Sequence, residues 1–194
     1  MARPKQRTPE LRDHVLLTAQ NTLERHGIEG FTTKHIADDA DTSVPAVYEL
    51  FGDKAGLVRE LFFIGFAKLA EALSAIPTSD DPRTDVVALA KAFRSFSVAN
   101  PALANLMYSR PFASFTPSAD DLAQADTSLR IVLRVVKRCI AVEVLHGDPI
   151  DVAHILLGLL QGLVAQESAG WLGKSVASRN RRWDLALAMF FDGA

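Results

Sequence analysis

The sequence predicts an all-α protein of about nine helices, with a three-helix, helix-turn-helix head on residues 1–53 and a helical-bundle body on residues 54–194. Three observations carry this. Apolar residues recur at helix-face spacing in one segment after another. Most of these segments open on Ser, Thr, Asp or Asn, several with Pro next, and close on Gly or Pro. No strand-period run and no Gly-rich phosphate loop interrupts them.

Residues 1–7 carry Arg3, Lys5 and Arg7 and are expected to form a basic, structureless arm. Thr8-Pro9-Glu10 then supplies an N-cap, a first-turn proline whose missing N–H is harmless, and an acid at the positive end of the helix dipole. Leu11, Val15, Leu16, Ala19 and Leu23 form that helix's apolar stripe, and Gly27 ends it.

The stretch Phe31 to Leu57 packs two short helices and the start of a third. Thr32 caps the first, which turns Ile36, Ala37 and Ala40 inward. Asp41-Thr42-Ser43 makes the turn, where Asp tolerates a left-handed backbone better than a branched side chain does. Ser43 caps the second helix, Pro45 sits in its first turn, Val47 and Phe51 face inward, and Tyr48 and Glu49 face out. Gly52 stops it and Asp53 caps the next, leaving Lys54 at the N-terminal end of a long helix.

That helix runs through Leu57, Leu61, Phe62, Phe66, Leu69 and Leu73 to Pro77, long enough to link head and body rigidly. Asp80-Asp81-Pro82 starts another with Val86, Leu89, Phe93 and Phe96, and Asn100-Pro101 a third with Leu103, Leu106 and Met107. Pro111 to Ser118 reads as a loop with two exposed phenylalanines, Phe112 and Phe115, followed by one long helix to about Val144. Asp148-Pro149 opens a strongly apolar helix to about Gly170. A last helix covers Ser178 to Phe191, and Trp171 and Trp183 read as interface packing.

The stretch from Thr32 to Leu57 resembles the DNA-binding end of the tetracycline-repressor (TetR) family of bacterial transcription regulators. The pattern T-T-x-x-I-A-x-x-A-x-x-S-x-x-x-(V/L)-Y-x-x-F-x-x-K-x-x-L is met by Thr32, Thr33, Ile36, Ala37, Ala40, Ser43, Val47, Tyr48, Phe51, Lys54 and Leu57. Asp41 and Thr42 depart from it, standing where the family usually has Gly and an aliphatic residue. Upstream, Val15, Leu16, Ala19 and Gly27 fall where the first-helix pattern has Ile, Leu, Ala and Gly. In the body, Gly162, Glu167 and Gly170 are similar to members carrying W-x-x-x-H-G then L-E-x-x-G. Leu157, Gln161 and Gln166 replace that subgroup's Trp, His and Leu, so its ligand chemistry does not carry over.

The resemblance implies a regulator of double-stranded DNA. Thr33, Tyr48 and Lys54 would hold phosphates, which fix register without reading sequence. Lys34, Val44, Pro45, Ala46 and Glu49, beside Ser43, would face base edges, and the arm with Arg3, Lys5 and Arg7 would follow a groove or the backbone. A palindromic operator implies a homodimer. The expected seam is on the last two helices, at Ile155, Leu156, Leu159, Leu160, Leu163, Leu185, Leu187, Met189 and Phe190. An unidentified apolar small-molecule effector would occupy a cavity lined by some of Phe93, Phe96, Met107, Phe112, Phe115 and Gln161, lowering DNA affinity and making the protein a repressor. Gln161 and Gln166 fit either a pocket or the dimer seam.

Composition sets the limits. A formal net charge of -2 places any nucleic-acid surface in local charge, and 48% hydrophobic residues suffice for a core. One cysteine, Cys139, permits no intramolecular disulfide and fits a reducing cytoplasm. No secretory signal is expected, because the basic run from Met1 to Arg7 is followed by polar helix, and no membrane span, because Asp151, His154 and Gln161 break the most apolar stretch. His146, Asp148, Asp151 and His154 lie close in sequence, but Asp148 is better explained as an N-cap, so neither metal nor cofactor is expected. Without G-x-S-x-G, a positioned carboxylate pair or Cys-His spacing, the chain reads as no enzyme. The alternative is an all-helical small-molecule carrier without DNA binding.

Overall fold

The computed structural model describes residues 8–193, all-helical among those residues. Its helices are α1 (Pro9–Gly30), α2 (Thr33–Asp39), α3 (Val44–Phe51), α4 (Lys54–Ser74) and α5 (Pro82–Ala99), then α6 (Pro101–Ser109), α7 (Ala119–Ala125), α8 (Thr127–Ala141), α9 (Pro149–Ser168) and α10 (Val176–Gly193).

The start signals act locally. The Thr8 hydroxyl accepts from the Leu11 N–H at 3.3 Å, and the Asp148 carboxylate accepts from the N–H groups of Ile150 and Asp151 at 2.8 and 3.3 Å. Each such cap satisfies donors that a helix end leaves orphaned and contributes about 1 kcal/mol. Gly27, at φ 62, breaks α1 near its end.

Ten helices stand where about nine were expected, because residues 119–144 do not form one rod. The backbone is interrupted at Asp126, whose carboxylate takes the Arg130 guanidinium at 3.0 Å. The second piece stops at Ala141: Glu143 turns left-handed at φ 60, and the Val144 N–H reaches back to the Cys139 carbonyl at 2.9 Å. That pairing satisfies a terminal carbonyl and stops the helix without a glycine.

The described chain packs as two compact units, up to Gly65 with Asn100–Gln124, and Phe66–Ala99 with the residues from Ala125 onward. Packing therefore does not divide at residue 53. The first half of α4, α6, the following loop and most of α7 belong with the helix-turn-helix head. In that unit Val15, Leu23, Phe31, Ile36, Val47, Leu57 and Leu61 are sealed from solvent. Phe51, expected inward, is half-buried, with the Arg12 guanidinium 5.2 Å above its ring.

In the second unit α5, α8, α9 and α10 bury Val86, Leu89, Phe93, Val132, Val136, Leu156 and Leu160. Its polar tie is Glu167. Arg94 donates to both carboxylate oxygens at 2.7 Å, the Trp183 indole N–H donates at 2.8 Å, and Arg179 lies at 3.3 Å. Trp183 is therefore a buried internal side chain and not interface packing, whereas Trp171 is 77% exposed. Helix α9 is long and apolar enough, by length and composition alone, to cross a membrane. Here it packs as a bundle helix, burying Val152, Ala153, Leu156 and Leu160.

Candidate nucleic-acid interface

The helix-turn-helix is built by short-range hydrogen bonds. Thr32 Oγ1 accepts from the His35 N–H at 3.2 Å and caps α2, while Ile36 and Ala37 enter the core. At the C-terminal end of α2, Asp41 adopts φ 46, the Thr42 N–H reaches the Ala37 carbonyl at 2.9 Å and the Asp41 N–H reaches the Asp38 carbonyl at 3.2 Å. Two terminal carbonyls are thus satisfied by a left-handed turn that usually takes glycine. Ser43 Oγ then caps α3 by accepting from the Ala46 N–H at 3.3 Å.

Among the described residues the buried Thr42 Oγ1 has no hydrogen-bond partner. Thr42→Val keeps the shape and removes that oxygen, so it should raise stability by about 1 kcal/mol, or ~2–4 °C in Tm. A denaturation midpoint equal to or below the wild type would overturn this reading.

On α3, Val47 is buried, and Pro45, Tyr48 and Glu49 point outward, with Tyr48 43% exposed. Gly52, at φ 80, stops the helix and its N–H reaches the Tyr48 carbonyl at 2.7 Å. Asp53 Oδ1 caps α4 by accepting from the Gly56 N–H at 2.8 Å. A Cβ on Gly56 would lie 1.9 Å from the Phe51 carbonyl oxygen, so only glycine permits this close junction of α3 and α4.

Two family models match the chain: residues 15–61 match "Bacterial regulatory proteins, tetR family", and residues 86–190 match "Tetracyclin repressor-like, C-terminal domain". The chain belongs to the TetR family. It is a transcriptional regulator with a helix-turn-helix DNA-binding domain. A Rhodococcus sp. RHA1 protein of unknown function shares its fold at a TM-score of 0.80 and 25% identity, covering 99% of this chain and 98% of that one. A bacterial regulatory protein in the TetR family, also from Rhodococcus RHA1, aligns at a TM-score of 0.71 and 19% identity, covering 94% and 98%. A TetR variant from Acinetobacter baumannii AYE, in complex with minocycline, aligns at 0.63 and 18%, covering 92% and 93%. No curated protein matches the sequence.

In this TetR-family head, Lys34, Ser43, Pro45, Tyr48 and Glu49 are exposed, and Val44, Ala46 and Lys54 are half-exposed. Thr33 differs: it keeps only 8% of its surface, which leaves its hydroxyl little to offer a phosphate. Arg3, Lys5 and Arg7 lie outside the described residues.

The Lys54 ammonium sits 5.7 Å from the Phe31 ring centroid and 5.2 Å from that of Phe112. Phe112 also packs on Phe31 at 5.2 Å, and Phe115 on Phe62 at 5.5 Å. Both loop phenylalanines, expected to be exposed, are therefore buried, at 5% and 8%. Their apolar seat is the head itself, a long-range pairing that local sequence does not encode. Beside them Asp121 pairs with Arg59 and accepts from the Ser118 N–H at 2.9 Å, while Ser118 Oγ accepts from the Asp121 N–H at 3.1 Å. The Ser118 N–H, then Arg59 and the Ser118 hydroxyl, hold the Asp121 carboxyl below its ordinary pKa against the opposing pull of burial.

The residues expected around an effector fall in both packing units. Phe93 and Phe96 are buried in the second unit, Met107, Phe112 and Phe115 belong to the head unit, and Gln161 is half-exposed on α9. The expected seam also divides. Leu156, Leu160, Leu187 and Phe190 are buried within their own chain, so they leave little surface to a partner. Ile155, Leu185 and Met189 are 62%, 57% and 66% exposed, and Leu159 and Leu163 are half-exposed. Gly158 and Gly162, exposed on α9 with nothing within 4 Å of an added Cβ, extend that open face, a role that the sequence pattern gave to neither.

Proposed function

We propose that this TetR-family regulator is a homodimeric repressor that holds a palindromic double-stranded DNA operator and releases it when a small molecule fills the body. The carrying observation is the outward face of α3, where Pro45, Tyr48 and Glu49 project from a helix pinned at both ends by caps. A rigid helix with one free polar-and-apolar face suits insertion into a major groove. Tyr48 and Lys54 supply phosphate contacts and Lys34, Val44, Pro45, Ala46 and Glu49 meet base edges. The functional division follows the head on residues 1–53 and the body from residue 54.

A gel-shift with DNA flanking the protein's own gene tests this. Tyr48→Ala removes an exposed ring and leaves the core intact, so operator affinity should fall by about tenfold and the salt slope by about one contact. Unchanged affinity and slope would overturn the assignment.

Assembly follows from the open apolar face of α9 and α10. Ile155, Leu159, Leu163, Leu185 and Met189 form a surface suited to a second copy, and Gly158 with Gly162 would let two α9 helices approach closely. Ile155→Asp should yield a folded monomer by light scattering at micromolar concentration and lose tight operator binding. A wild-type protein already monomeric there would refute the seam.

Effector response is supported by the family and by the minocycline complex of the Acinetobacter relative. Met107, Phe112 and Phe115, in the same packing unit as the helix-turn-helix, suit transmission better than ligand contact. An effector that shifted the α6–α7 segment would move Phe112 against Phe31 and Lys54. A tenfold loss of DNA affinity requires only ~1.4 kcal/mol of such coupling.

A further inference from the structure

Helix α8 carries a charge pattern that neither the fold nor the DNA interface uses. Arg130, Arg134 and Lys137 stand along its exposed side with Arg138 beside them, in a chain of formal net charge -2. Arg130 is offset by Asp126, and Arg138 by Asp85, with Arg138 also donating to the Ser79 carbonyl at 2.7 Å. No acidic partner of Arg134 or Lys137 is found among the described residues.

These cations border a cavity. A half-enclosed pocket of about 160 Å³ lies within the second unit, walled by Ile76, Leu89, Ile131 and Val135, with Arg134 and Arg138 in its lining. The same two arginines line an open groove of about 470 Å³ with Arg130 and Lys137. The pocket alone is smaller than an ordinary ligand site, and the open groove beside Arg134 and Arg138 leaves room for the rest of a ligand. Asp85, the acid in the pocket lining, is already held by Arg138 and by Ser79, whose N–H and hydroxyl donate to it at 3.0 and 2.7 Å. An arriving anion would therefore meet unneutralised guanidinium and ammonium groups.

We propose that this pocket and groove bind an amphipathic anion, an aliphatic chain ending in a carboxylate or phosphate. The chain lies against Ile76, Leu89, Ile131 and Val135, and the head is taken by Arg134 and Lys137. Arginine's planar fork matches either head bidentately. The site rests on the reading that the body receives an effector, and it assigns that effector's chemical class.

The test is ligand-observed NMR and calorimetry on the full-length protein, using decanoate and decyl phosphate below their aggregation limits, with decanol and acetate as controls. Micromolar binding of either decyl anion is expected, with decanol and acetate each at least tenfold weaker. Arg134→Gln with Lys137→Gln should weaken the anions by at least tenfold and leave decanol unchanged, and Val135→Phe should block the decyl chain. Decanol binding as tightly as decanoate, or anion binding unaltered in both variants, would overturn the site. The gel-shift separates it from the wider reading. Decanoate that binds in an Arg134-dependent way without releasing DNA keeps the site and refutes its effector role. DNA release by another compound with no decyl-anion binding keeps the repressor and refutes the site.

Discussion

Replacing Gly56 by Ala should destabilise the head by about 3 kcal/mol and abolish tight operator binding. In an exposed helix the same change would stabilise by ~1 kcal/mol, because glycine loses more backbone freedom on folding than alanine. The structure reverses that sign. A Cβ at residue 56 would fall 1.9 Å from the Phe51 carbonyl oxygen, a backbone atom that cannot swing aside as a side chain can. To admit the methyl, the end of α3 must separate from the start of α4, at the cost typical of an overpacked site. Asp53 would lose its cap on the Gly56 N–H, now 2.8 Å. Lys54 would also leave its place over Phe31 and Phe112. Because Tyr48 lies on α3 and Lys54 on α4, the spacing of the two proposed phosphate contacts would change as well. Denaturant unfolding and a gel-shift on the purified variant check this. A Gly56→Ala protein as stable as wild type and still bound to operator would show that the junction relaxes without consequence.

What could be read from the sequence was whatever is decided within about five residues. The caps at Thr8, Thr32, Ser43, Asp53 and Asp148 and the left-handed turn at Asp41 are contests between a side chain or turn and the nearest backbone groups, so residue type and position settle them. The break at Asp126 was missed because no proline or glycine marks it. The burial of Phe112 and Phe115 was misjudged for another reason. Their seats, Phe31 and Phe62, lie far away in the chain, and a proline-flanked loop with two aromatics looks the same whether it covers its own head or a partner. Likewise Ile155, Leu156 and Leu160 were all read as seam residues, although helical geometry sends Leu156 and Leu160 to the core and Ile155 outward. Gly56 was overlooked because nothing in its local pattern reveals a carbonyl approaching from the preceding helix.

Glu167→Ala should lower stability by about 3 kcal/mol, a drop of ~6–12 °C in Tm. The carboxylate is 12% exposed and Arg94 is 21% exposed, so this is a partly buried ion pair and not a solvated one. Removing it strands the Arg94 guanidinium, which would keep only Asn180 Oδ1 at 2.8 Å and the face of Trp183 at 5.1 Å. It also leaves the Trp183 indole N–H without its acceptor. Helices α5, α9 and α10 meet at this one side chain, so the loss should loosen α10 against α9 and weaken the proposed dimer along with stability. Arg94, then the Trp183 indole and Arg179, hold the Glu167 carboxyl below the ordinary glutamate range against the opposing pull of burial. A carboxylate whose folded pKa is depressed adds stability that is complete above its unfolded pKa, about 4.3, and is lost as pH falls through the folded value. Asp85 and Asp121 shift in the same direction and add to the acid-side slope. Glu167→Gln keeps an acceptor for Trp183 but gives up the charge, so its stability should vary less with pH below about 4.3 than that of the wild type. Thermal melts of the wild type and both variants between about pH 3 and pH 7 read this directly. A loss under about 1 kcal/mol in Glu167→Ala, or parallel acid slopes for the wild type and Glu167→Gln, would place the stabilisation of α10 in its apolar contacts through Trp183, Leu187 and Phe190 instead.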